Sequence, residues 1–96
     1  MSLDELASKY ISSAEQVFTK VAISRDPPSV NAESIRNVVD CARDYLEDAR
    51  YYMEKKKFEV SLTSVAYCEG LLDALRLLGM VNFKWPTKPK EPRKKE

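Results

Sequence analysis

No histidine occurs in this chain, and glycine and cysteine number two each in 96 residues. The missing histidine removes the commonest general base and metal ligand, and with it any Glu-x-x-His di-iron site of the kind carried in helical bundles. Two glycines leave no glycine-rich phosphate loop. Cys41 and Cys68 stand too far apart for a metal knuckle and are too few for a disulfide framework, so both are expected as buried free thiols. No apolar run approaches the roughly 20 residues that cross a bilayer, and no basic-then-apolar leader opens the sequence; a cytoplasmic, membrane-free protein is expected.

The chain is 44% hydrophobic and 32% charged, enough for one small domain. Its net charge of +1 is unevenly spread. Residues 84–96 hold Lys84, Lys88, Lys90, Arg93, Lys94 and Lys95 against Glu91 and Glu96, a net +4, which leaves −3 on residues 1–83. An acidic body argues against a broad nucleic-acid face, leaving weak binding through the basic tail.

Three amphipathic helices are legible. Leu3, Ala7, Tyr10, Ala14, Val17 and Val21 recur at steps of four and three, with Leu6, Ile11 and Phe18 widening the stripe, which predicts a first helix over 3–23. Ser2 with Glu5 has the spacing of a capping box. Ser24–Val30 contains Pro27-Pro28 and breaks the pattern. Asn31 is placed to cap a second helix over 32–56, whose apolar set runs from Ile35 through Val38, Val39, Ala42, Tyr45, Leu46, Ala49 and Tyr52 to Met53. Lys55-Lys56-Lys57 puts cations at its C-terminus and leaves a short turn, implying antiparallel neighbours. A third helix over 58–78 follows, with Leu72 near its centre, closed by Gly79 as a left-handed cap. The expectation is an all-α, up-down-up three-helix bundle over 1–83, with a flexible, polyproline-like Pro/Lys tail over 84–96.

Two residue groups bear on function. Asp40 and Asp44 on helix two fall at the heights of Asp73 and Glu69 on helix three, and converging carboxylates would suit Mg²⁺. The plainer reading is a solvated face neutralised by Arg43, Arg50 and Arg76. The second group is apolar: Val60, Tyr67, Leu71, Ala74 and Leu78 form an arc on helix three beyond what two neighbours cover, with Phe83 and Trp85 just past its end. Such a surplus implies either an interface, with a protein partner or a second copy, or Trp85 folded back over the arc. The tyrosines otherwise read as core with hydroxyls at the rim, except Tyr51, which falls off the main stripe and is expected to be exposed.

The run from Tyr45 to Gly79, with YLEDA, a lysine turn and the close AYCEGLLDALRLLG, resembles the archaeal domain of unknown function family 357. That resemblance implies a spectrin-like three-helix bundle and carries no catalytic residues. The sequence therefore points to a non-catalytic interaction or scaffold module without a cofactor. The alternative is a metal- or nucleotide-handling helical enzyme using Asp40, Asp44, Glu69 and Asp73.

Overall fold

The computed structural model describes residues 2–86, of which three stretches are helical: α1 (Leu3–Phe18), α2 (Ala32–Glu54) and α3 (Phe58–Leu77). The architecture is all-α with three helices, as the periodicity requires.

Local chemistry fixes the ends. Ser2 Oγ accepts from the Glu5 backbone N–H at 3.3 Å while the Ser2 N–H donates to Glu5 Oε1 at 3.0 Å, completing the capping box. Asn31 Oδ1 accepts from the Ser34 N–H at 2.8 Å and starts α2. α1 stops five residues before the expected end. Thr19 turns its hydroxyl onto the Gln16 carbonyl at 2.6 Å, and the β-branched Val21 and Ile23 that follow favour helix poorly.

The two remaining C-termini share one device. After α3, Gly79 adopts φ 77°, and the Met80 N–H reaches the Leu75 carbonyl at 2.9 Å. After α2 the same six-to-one closure runs from the Lys57 N–H to the Tyr52 carbonyl at 2.9 Å, with Lys56 at φ 61° in the left-handed position. Lys56 is the one non-glycine residue with positive φ among those described. It lets a three-residue turn reverse the chain.

α2 and α3 form the packed part. Their seam is made of small or compact residues at heptad spacing: Ala42 and Ala49 on α2, and Ser61, Cys68 and Leu75 on α3, all buried. Small side chains let the axes approach closely. The buried Ser61 hydroxyl then donates to the Ala49 carbonyl at 2.8 Å, tying one helix to the other's backbone. Tyr45 and Tyr67 stack across the hairpin with ring centroids 4.3 Å apart, one residue from the register expected from the turn.

α1 behaves differently. No Cα of α1 lies within 8 Å of one in α2 or α3, and none of its residues is buried. Leu3, Tyr10, Ile11, Val17 and Phe18 stay exposed, and Leu6 alone is half-buried. The stripe expected to face the bundle interior is present in sequence and helical in structure, yet it is not seated on the hairpin.

Candidate functional site

Helical geometry gives the hairpin two sides. At roughly 100° per residue, the seam on α2 lies along Ala42 and Ala49. Val39, Leu46 and Met53 turn to one side of it, and Val38, Tyr45 and Tyr52 to the other. On α3, Val65 and Leu72 join the first side, while Val60, Tyr67, Leu71 and Leu78 join Tyr45 on the second.

The first side is a groove. It holds a hollow of about 450 Å³ lined by Ala49, Arg50, Met53, Glu54, Ser61 and Val65. A second hollow, of about 190 Å³, is lined by Val39, Ala42, Arg43, Leu46, Cys68 and Leu72. Both open to solvent along the same pair of helices. The walls are apolar; the charges are Arg43 and Arg50, seven residues apart on the α2 edge, and Glu54 at the turn end. Each arginine is held by an exposed carboxylate on its own helix, Arg43 to Asp40 at 2.9 Å and Arg50 to Glu47 at 2.7 Å. Such exposed pairs contribute ~1 kcal/mol or less and exchange easily.

The second side carries the apolar arc read from sequence. Val60, Tyr67 and Leu78 are exposed and Leu71 is half-buried. Loss of solvent pushes the Tyr45 hydroxyl above its ordinary value, with the neighbouring Tyr67, Cys41 and Asp48 adding to the effect. Trp85 does fold back, but not onto this arc. Its indole N–H donates to Asp73 Oδ1 at 2.8 Å, and Phe83 meets it edge-on with centroids 4.9 Å apart. Arg76 lies over the Phe83 ring at 6.0 Å and donates from Nε and Nη2 to the same Asp73 oxygen at 3.2 Å. Trp85, then Arg76, hold the Asp73 carboxyl below its ordinary value. Phe83 and Trp85 therefore belong to the groove side of α3, where Glu69, Asp73, Trp85 and Pro86 bound a third open cleft of about 560 Å³.

The four carboxylates do not gather. Among the described residues no three acidic or cysteine side chains come together in a group that could hold a metal ion. Azimuth separates them. Asp40 and Asp44 point away from the Ala42–Ala49 seam, Asp40 nearly opposite it, while Asp73 is taken up by Trp85 and Arg76. Of the two thiols, Cys68 is buried as expected, with burial and then Glu69 raising its pKa, whereas Cys41 is exposed.

Sequence reasoning missed the groove because it read the stripe of helix two as internal and placed the uncovered apolar surface on the other arc of helix three. Its signal was available: Val39, Leu46 and Met53 repeat at seven, as do Arg36, Arg43 and Arg50 beside them. The expected Pro/Lys tail falls largely on residues 87–96, outside the described residues. No helix among those described is long and apolar enough to cross a membrane.

No curated protein and no solved structure matches the chain. The family described as Protein of unknown function (DUF357) matches it over residues 9–81, a span taking in most of α1 and the whole hairpin. The chain belongs to the DUF357 family.

Proposed function

We infer that this protein is a non-catalytic interaction module whose α2–α3 groove receives an amphipathic helix. The observation that carries this reading is the open apolar trough beside the seam, flanked by Arg43 and Arg50. A groove between paired helices is the usual seat for a helix presenting apolar residues at i, i+3, i+4 and i+7. Energetics point the same way. The hairpin buries only Ala42, Ala49, Cys68 and Leu75 among its apolar residues, and a two-helix unit with so slight a core is marginal until a third surface covers it. The groove edges carry charges of both signs, Arg43 and Arg50 against Glu54, so apolar spacing rather than flank charge selects the partner helix. The outward directions of Asp40 and Asp44 give the carboxylate-based enzyme no comparable support.

The test is a selection of helical peptides on the full chain. Enriched sequences should show apolar residues at i, i+3, i+4 and i+7. Leu46→Glu, in the groove, should abolish their binding, while Tyr67→Glu, on the opposite side, should not. Peptides that ignore Leu46→Glu would refute the assignment of the groove.

A further inference from the structure

Within one chain, two apolar surfaces stand uncovered that match in length. α1 has 16 residues and is about 24 Å long, and the groove from Val39 to Met53 runs for about 21 Å. A free helix of this length is marginal in water, so α1 needs a surface to lie on. Charge does not decide the seating: Asp4, Glu5 and Glu15 against Lys9 give α1 a net −2, and the groove edges carry both signs, Arg43 and Arg50 against Glu54, so apolar contact carries it.

The connection permits the two to meet. Residues 19–31 carry no helix or strand and reach about 43 Å when extended, at roughly 3.3 Å per residue. That exceeds the groove's length, so α1 can lie along its own groove in either direction. A short flexible tether sets an effective concentration in the millimolar range. An α1 that bound as a free peptide with a Kd of about 0.1 mM would then close over its own groove roughly ten times out of eleven.

We propose that α1 is a reversible strap over the α2–α3 groove, the arrangement described above being the open form, and that a partner helix enters by displacing it. In the closed form the apolar stripe of α1 lies along Leu46 and Val65 of its own chain. This rests on the reading of the groove as a helix-docking surface and adds the element that controls access to it.

The experiment uses a fluorescent synthetic peptide of residues 2–21 as the competing helix. Its affinity is measured by anisotropy for three full-length chains: the natural one, a Tyr10→Glu/Val17→Glu variant, and one with twenty Gly/Ser residues inserted between Arg25 and Asp26. Binding should tighten about tenfold in the double variant, because apparent affinity scales with the fraction of open grooves. The insertion alters no side chain. Lengthening the tether from thirteen to thirty-three residues should dilute α1 about fourfold and tighten peptide binding by up to that factor, which keeps the test valid if the double variant unfolds.

Equal affinity for all three chains, lost with Leu46→Glu, would overturn the strap and leave the docking surface standing. No binding to any of them, or binding indifferent to Leu46→Glu, would overturn both. Sedimentation showing that the natural chain is a dimer with α1 exchanged between copies would overturn closure within one chain.

Discussion

Lys56→Gly should stabilise this protein, although it removes a charge from a favourable place. Lys56 sits at φ 61° in the closure that ends α2. An L-residue there carries a cost of about 1–2 kcal/mol from the contact between its Cβ and the backbone carbonyl. Glycine relieves that cost and loses about 0.5–1 kcal/mol through the greater freedom of the unfolded chain. The helix-dipole contribution of one exposed lysine, a few tenths of a kcal/mol, is also lost, though Lys55 and Lys57 remain. The balance is a gain of about 0.5 kcal/mol. For a domain of this size that corresponds to a rise in Tm of roughly 2–4 °C. Urea denaturation followed by far-ultraviolet circular dichroism would read it as a higher midpoint at unchanged slope. Lys56→Ala is the control, since it loses the same charge and keeps the positive φ; it should be neutral or slightly destabilising. A glycine variant no more stable than the alanine one would show that the turn stores no such strain.

Three further outcomes are expected. Gly70 lies in the middle of α3, where a Cβ would meet nothing within 4 Å, so Gly70→Ala should raise stability by about 0.5–1 kcal/mol in the same urea assay; a loss would mean that a neighbour occupies that space. Leu75→Ala, in the seam, should cost about 2–3 kcal/mol, and Leu72→Ala, half-buried at the groove, clearly less; the reverse order would misplace the core. Trp85 is the only tryptophan, and its partner Asp73 has a depressed pKa in the folded chain. The contact should therefore persist above the unfolded carboxyl value of about 3.9 and be lost only as pH falls through the lower folded value. Trp85 emission shifting to the red at or above pH 4 would contradict this.

Helix existence and hairpin pairing were legible because they depend on periodicity and caps, which are local. Asn31, Ser2 and Gly79 do what their positions announce. Register was nearly legible too, since a three-residue turn leaves little slack, and Tyr45 meets Tyr67 within one residue of expectation. Azimuth was harder. Whether Asp40 and Asp44 face Glu69 and Asp73 depends on which column forms the seam, and several columns of α2 and α3 are apolar enough to compete. Ala42 and Ala49 win because small residues allow close approach, a choice that hydrophobicity alone does not rank. The seating of α1 was the least legible, because its stripe states that it needs a surface without stating which one. Trp85 found Asp73 rather than the apolar arc because that carboxylate gives its indole N–H a charged acceptor.

The lysine turn has a consequence for the speed of folding. All packing between helices joins α2 to α3, neighbours in sequence separated by three residues. Closing so short a loop costs little chain entropy, and topologies dominated by such local contacts reach the native state in microseconds to milliseconds. The hairpin should thus form before a chain emerging from synthesis has time to misassemble. It presents no strand edge on which another copy could template growth. A protein with so slight a core can in this way remain dependable in the cell through the rate at which it re-forms after each opening, rather than through the rarity of opening.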